Sequence, residues 1–355
     1  VKKYTFIFNI VTAFNNRGDL LINRALIARA RDIGKVAVVT KGIPKPFLSK
    51  LGLAENEMYS SFWQCFKSNF GKRKLVKVGI PGHNFGKPSA NAQSYFELIY
   101  TALFKFIFRV EFIRIGTSVG NLDKSAIKIE KLKAKLYKIY GVRDNFSYNL
   151  FSPSAISYFP DLAFLSKDFE LNNQKSKHLK KIPYIFLSFR PSFPDAEISY
   201  DYLNAIIKNL LVFIERREEN LIKVAFQVPE DRTPCFAISK AISALEGKTV
   251  EFIDETLELD ESIDIIANAN LVVSNRLHVL LPALMSGVCH IALTDLRHHR
   301  KLVSLYETIG AGFALQDINS IEPLTLTTEN ERENLLKIAK SQIDIAEQKV
   351  SQAFE

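Results

Sequence analysis

Short, almost wholly apolar runs alternate along the chain with helical patterns, and this rhythm occurs twice. In the first half, Tyr4–Ile10 (YTFIFNI), Lys35–Thr40 (KVAVVT), Leu75–Ile80 (LVKVGI) and Glu111–Ile115 (EFIRI) read as buried strands. Gly18–Asp32, Ser94–Val110 and Lys124–Tyr140 read as helices, and residues 41–73 as irregular and aromatic. In the second half the strands are Tyr184–Phe189, Ile222–Val228, Val250–Ile253, Leu271–Val273 and Val288–Leu293. The helices there are Tyr200–Glu219, Cys235–Leu245, a stretch near His278–Ser286, His299–Ile309 and Glu329–Phe354. Strands without polar alternation, separated by helices, imply parallel sheets covered on both faces. A length of 355 residues suits two such domains. The expected fold class is α/β, with two Rossmann-like domains and a cleft between them. Ligands in open α/β sheets bind beyond the carboxyl ends of the strands, so chemistry is sought just after each strand.

Charge divides the chain in the same way. Residues 1–183 carry 31 Lys/Arg and 12 Asp/Glu, whereas residues 184–355 carry 16 and 26. The polar, Lys-rich stretch Ser166–Pro183 reads as the linker. The expected domains are therefore 1–175, basic, and 176–355. A basic half suits anionic partners. Nucleic acid is excluded, for there is no zinc finger, aromatic RNA-binding signature or helix-turn-helix. Part of the charge lies on the amphipathic stretch Lys124–Lys138, read as a solvated face.

Other classes fall away on composition. Cys65, Cys235 and Cys289 are odd in number and widely spaced, which excludes a disulfide scaffold and a CxxC zinc site and fits a reducing compartment. Charges interrupt Tyr95–Ile115, and Pro282 and Gly287 break Leu277–Thr294, so neither run is a spanning helix. The N-terminus shows no signal peptide. A chain opening with Val leaves room for an initiator Met or a short leader ahead of it.

Five constellations stand at strand ends. Ser274-Asn275-Arg276-Leu277-His278 puts an Arg fork and an imidazole two residues apart, which suits a ligand bearing phosphate and carboxylate. Arg190 follows YIFLSF directly. His298-His299-Arg300-Lys301 opens a helix after VCHIALTD; it suits an anion and lacks metal-ligand spacing, and His290 within that strand reads as structural. Asn15-Asn16-Arg17-Gly18-Asp19 forms a strand-to-helix turn without GxGxxG, with Asp19 also readable as a helix cap. Gly116-Thr117-Ser118-Val119-Gly120 is a literal G-x-S-x-G, the elbow pattern that would make Ser118 a hydrolase nucleophile.

Taken in order, these pieces resemble the polysaccharide pyruvyltransferase family. The resemblance runs through NNRGDLLINRAL, EFIRIGTSVG, GVRDNFSYNLF with YFPDLAF, IFLSFR, VVSNRLHVLLPALMSGVCHIAL and HHRKLVSLYETIG. Arg17 and Cys289-His290 depart from its pattern, and residues 41–110 match none of it. The resemblance implies an architecture like the B-type glycosyltransferases. It implies transfer of the carboxyvinyl unit of phosphoenolpyruvate to a sugar, closing a pyruvate ketal and releasing phosphate, with no cofactor and no metal. Arg190, Arg276, Leu277, His278, Lys301 and Arg143 would bind phosphoenolpyruvate, with Arg276 and His278 catalytic. Asn16, Gly18, Asp19 and Asp161 are the expected acceptor residues. The acceptor would be a sugar or lipid-linked oligosaccharide. The enzyme would be cytoplasmic, with a basic half suited to an anionic inner membrane face, and the aromatics Phe62, Trp63, Phe66 and Phe70 able to touch membrane or sugar. The competing readings are a B-type transferase using a nucleotide sugar, a serine hydrolase, and a non-catalytic scaffold.

Overall fold

A computed structural model of the chain describes residues 3–84, 89–120, 122–151, 156–167, 169, 182–191 and 200–354. The expected boundary at 175/176 and most of the Ser166–Pro183 linker lie outside the described residues. Two units form. The first holds residues 1–14, 19–166 and 343–355, and the second holds 15–18 and 167–342.

In the first unit the strands are β1 (Tyr4–Asn9), β2 (Lys35–Val39), β3 (Met58–Tyr59), β4 (Lys74–Val78), β5 (Gly82–Asn84), β6 (Glu111–Val119), β7 (Ile139–Val142) and β8 (Ser157–Tyr158). The helices are α1 (Arg17–Ile33), α2 (Lys45–Lys50), α3 (Phe62–Asn69), α4 (Ala92–Phe106), α5 (Lys124–Leu136) and α6 (Asn145–Leu150). The sheet runs β3-β2-β1-β4-β6-β7-β8, with β5 beside the far half of β6. Every pairing is parallel. Phe66, Phe104 and Phe112 pack over Ile7, Ala37 and Leu75, so α3 and α4 cover one face.

The second unit has β9 (Tyr184–Ser188), α7 (Tyr200–Glu215), β10 (Leu221–Ala225), α8 (Arg232–Ile242), β11 (Thr249–Ile253) and α9 (Leu259–Ala267). It continues with β12 (Leu271–Ser274), α10 (Leu277–Met285), β13 (Cys289–Thr294), α11 (Arg300–Thr308) and β14 (Leu315–Asp317), and α12 (Glu329–Phe354) begins in it and ends in the first unit. Its parallel sheet runs β11-β10-β9-β12-β13-β14, the order of a doubly wound dinucleotide-binding fold. Strand order reverses between β9 and β12, the switch point beyond which ligands bind in open α/β sheets. All of β9 and β12 is buried, which explains their unbroken apolar sequence.

Four expectations are corrected. Residues 41–73 are not irregular: they hold α2, β3 and α3, with Ser61 capping α3 through the Gln64 N–H. The helix expected to reach Tyr140 stops at Leu136, and Ile139–Val142 is a strand. Lys133 and Glu130 on that helix are buried rather than solvated. Finally, Gly116–Val119 is no elbow. It is the last part of β6, where Gly116 at φ +64° sits at a register shift and Leu162 lies 2.6 Å from where a Cβ would be.

Candidate functional site

The second sheet places Ser188 opposite Ser274 at the switch point. Ser274 Oγ donates to the Ser188 carbonyl (2.5 Å) and accepts from the Arg276 N–H (2.9 Å), which turns the chain out of β12. Arg276 is then the extended N-cap residue of α10. Asn275, fully buried, reaches across: its Oδ1 accepts from Arg190 N–H (2.8 Å) and its Nδ2 donates to Arg190 C=O (3.0 Å) and to Tyr202 Oη (2.7 Å). Two neighbouring strand ends are thereby locked, and each carries an arginine. Arg276 Nη2 donates to the buried Asp231, which orients one arm of its fork.

Arg190 is different. Burial lowers its pKa, so the folded protein disfavours its charge, and no carboxylate pairs with it among the described residues. Its Nε is buried without a hydrogen-bond partner among those residues. Half-burying a cation with no carboxylate partner is costly, and a bound anion would offset that cost.

His299 sits among these cations. It is buried, with Nδ1 2.7 Å from Thr294 Oγ1. Its pKa is held well below the ordinary value, first by burial and then by the positive fields of Arg190, Lys301 and Arg276. The imidazole is therefore neutral near neutral pH. Arg190, Arg276 and Lys301, which come from three segments of sequence, thus share one electrostatic environment.

His278 owes its position to a proline. Pro282 lacks the N–H that would bond to the His278 carbonyl, and its ring crowds that carbonyl. The backbone kinks there (φ −84°, ψ 19°), and Gln227 Nε2 donates to the freed oxygen (3.1 Å). Leu277 beside it is buried as the first residue of α10. Gly18, which clusters with the second unit, leaves no room for a side chain: a Cβ would overlap the His278 imidazole. Asn16 Oδ1 accepts from the Gly18 N–H (3.0 Å), and Arg17 Nε donates to the Leu257 carbonyl (2.5 Å).

The remaining expected residues lie in the first unit. Asp19 accepts from Thr12 Oγ1 (2.6 Å) and Ala13 N (3.1 Å), tying the β1–α1 loop to the helix start. Arg143 and Asp161 are expected to meet ligand, yet both are wholly buried and pair with one another, so neither side chain reaches solvent. Arg143 Nε also donates to Ser118 Oγ (2.8 Å), and that hydroxyl donates to Asp144. Ser118 is thus buried and its hydroxyl is engaged by Arg143 and Asp144, which removes the exposed nucleophile that the hydrolase reading needs. Among the described residues no cluster of His, Cys, Asp and Glu could hold a metal ion.

Asn275, Asp231, Gln227 and His299 have no assigned role in the sequence reading. Asn275 and His299 carried a signal, as members of the strand-end constellation and of the basic run. Asp231 and Gln227 act through partner or backbone contacts that no spacing rule announces.

The family model for polysaccharide pyruvyl transferase matches residues 16–295. The chain belongs to that family. The match covers well over half its length and both units, so the protein is a transferase of the polysaccharide pyruvyl transferase kind. A comparison with curated proteins finds no match. Among solved structures, the chain is similar to UDP-GlcNAc 2-epimerase from Neisseria meningitidis bound to UDP-GlcNAc, at 11% identity and TM-score 0.53, covering 99% of this chain and 93% of that one. It is also similar to a glycosyltransferase from Rickettsia africae, at 12% identity and TM-score 0.50, covering 99% and 94%. UDP-GlcNAc 2-epimerase from Methanocaldococcus jannaschii matches at 13% identity and TM-score 0.50, covering 96% and 92%. At these identities the likeness is one of fold, and it gives this family member the two-sheet α/β architecture of B-type glycosyltransferases.

Proposed function

We propose that this family member binds phosphoenolpyruvate at the second unit's strand ends and transfers its carboxyvinyl unit to a sugar. The observation that carries the reading is Arg190: a half-buried cation with no carboxylate partner among the described residues, sharing the field at His299 with Arg276 and Lys301. Phosphoenolpyruvate brings two anionic groups to such a site, and preorganised cations are worth most where water is excluded.

The chemistry balances as follows. One sugar hydroxyl attacks C2 as C3 takes a proton, which turns the methylene into a methyl group and gives a phosphate-bearing tetrahedral adduct. A second hydroxyl of the same sugar then displaces phosphate at C2 and closes the ketal. Of the two hydroxyl protons, one is accounted for in the new methyl group and the other leaves with phosphate. His278 is proposed as the acid toward C3 or the departing phosphate, and Arg190, Arg276 and Lys301 as the groups that orient C2. Leu277 stays proposed as part of the donor site. Asn16, Gly18 and Asp19 stay proposed on the acceptor side. No metal or cofactor is proposed.

The reading has a direct competitor in a nucleotide-sugar transferase on the same fold. Thermal unfolding separates them. Phosphoenolpyruvate should raise the midpoint and a uridine diphosphate sugar should not; the reverse pattern rejects the proposal.

The proposed acceptor is a sugar of a polysaccharide or of its lipid-linked precursor, reached from the cytoplasmic side of an anionic membrane. No helix among the described residues is long and apolar enough to span a bilayer. A docking face supports contact from one side. On α4 and its C-cap residue Ile107, the exposed side chains Tyr95, Phe96, Ile99, Leu103, Phe106 and Ile107 fall within an arc of roughly 120°. Phe96, Ile99 and Phe106 are 68%, 67% and 70% exposed. Helix α5, held to α4 by Lys133–Glu97 (2.9 Å), carries the outward lysines Lys128 and Lys135. Apolar and aromatic side chains beside lysines suit an anionic interface. Trp63 and Phe70 are also half-exposed, whereas Phe66 is core.

A further inference from the structure

A cavity of about 500 Å³ lies in the first unit, walled by the sheet, α4 and α5. Asn9 stands at the end of β1, Lys77 on β4, Asn91 and Gln93 at the start of α4, and Glu97 and Tyr100 further along it. Lys77 is the anomaly. It occupies an interior strand position, between Ile7 and Phe112 in register, where an aliphatic side chain would cost nothing in lost hydration. Its ammonium lies 4.4 Å from the Tyr100 ring centroid and 5.2 Å from that of Phe62. Among the described residues Nζ donates no hydrogen bond, and aromatic faces supply only part of what water gave.

Glu97 attracts the Lys77 ammonium and partly opposes the effect of burial, but its carboxylate is already hydrogen-bonded to Lys133. Arg114 and Lys133 both bond to Glu130, at 3.1 Å and 3.0 Å, and Lys133 also bonds to Glu97 at 2.9 Å. Three cations thus face two carboxylates, and the surplus positive charge is at the lysine that lacks hydrogen bonds. Around it, the amides of Asn9 and Gln93 can donate and accept, as sugar hydroxyls require, and Asn91 can donate through Nδ2, its Oδ1 being taken by the Ser94 N–H and hydroxyl at the α4 cap. The volume lies within the range of small-molecule sites.

We infer that this cavity binds a sugar unit carrying one anionic group, with Lys77 holding the anion. The anion is a carboxylate, as in a uronic acid, or a phosphate monoester, as in a sugar phosphate. The site uses no residue of the second unit, so the inference stands or falls independently of phosphoenolpyruvate binding. Burial lowers the Lys77 pKa to about 8. Glu130 offsets the cost of burying charge on Arg114 and Lys133 and keeps both cationic well above that pH. Anion binding should therefore weaken as pH rises through about 8.

Isothermal titration of the full chain with glucuronate, glucose 1-phosphate and glucose tests this. At least one anionic sugar should bind about tenfold or more tightly than glucose, and the two anionic arms identify the source. Lys77→Met should remove that preference and Lys77→Arg should retain it. Met suits the aromatic cage, so the Met variant should melt no lower than wild type, and its protection by phosphoenolpyruvate should be unchanged. The pH profile of wild type gives a reading that needs no variant. Absence of binding by either anionic sugar at millimolar concentration, equal affinity for glucose, or an unaltered preference in Lys77→Met would overturn the inference.

Discussion

The Asn275 side chain closes a two-point clamp on the backbone of Arg190, accepting from its N–H at 2.8 Å and donating to its carbonyl at 3.0 Å. The clamp crosses the switch point and fixes where the Arg190 guanidinium starts. Asn275→Ala would leave a buried N–H and C=O unmatched, at a cost of about 1–3 kcal/mol each. Urea unfolding should show that loss. Phosphoenolpyruvate binding should weaken by about tenfold or more even where the variant remains folded. Normal affinity in a folded Asn275→Ala protein would mean that Arg190 does not depend on the clamp.

The second unit should be acid-sensitive. His290 is fully buried, with Nδ1 3.2 Å from the Val288 carbonyl and Nε2 3.1 Å from Tyr306 Oη. Burial lowers its pKa to about 4. As the pH falls below about 6.5 the unfolded chain takes up a proton that the folded chain refuses. Stability is therefore present above pH 6.5 and is lost toward pH 4, by up to about 3 kcal/mol from this group. His299 acts in the same direction. His290→Gln cannot titrate and still offers Tyr306 a partner, so its urea midpoint should fall less steeply over that window. A slope equal to wild type would place the acid sensitivity elsewhere.

Ser118 should not react with a fluorophosphonate probe in the folded protein, because its hydroxyl is buried between Arg143 and Asp144. Ser118→Ala should instead destabilise by about 1–3 kcal/mol, since two charged partners lose their shared bond. Stoichiometric labelling would restore the hydrolase reading.

These two outcomes show what a sequence discloses. Strand-end reasoning led to Arg190 and Arg276 because parallel sheets put ligands at one edge, and adjacency of β9 and β12 brings the two together. The G-x-S-x-G misled because glycine marks bulges as well as turns, and Gly116 interrupts a strand without ending it. The strand at Ile139–Val142 was hidden by the lysine-rich helical pattern that runs into it. Arg143 and Asp161 stand at motif positions, but burial and pairing are tertiary facts that no local pattern records. Asn275 and Gln227 serve backbone atoms distant in sequence, and such partners become visible only in the fold.

The α4 face should carry the protein to anionic vesicles. Flotation with phosphatidylglycerol-containing liposomes should exceed that with phosphatidylcholine alone and should fall with added salt. Replacing Phe96 and Ile99 together by Ser should reduce flotation without lowering the melting temperature, since both side chains are mostly exposed. Binding that ignores lipid charge, salt and these substitutions would assign α4 to another partner.

The central claim is that the cations around His299 are a phosphoenolpyruvate site, and one experiment meets it directly. Thermal unfolding is followed with and without millimolar phosphoenolpyruvate for wild type, Arg276→Ala and Lys301→Ala, each against its own unliganded baseline. A ligand at about 100 times its dissociation constant adds about 2.7 kcal/mol. The account predicts a raised midpoint in wild type that vanishes in Arg276→Ala and shrinks in Lys301→Ala. An equal rise in all three proteins, or no rise in wild type with candidate glycans also present, would contradict it.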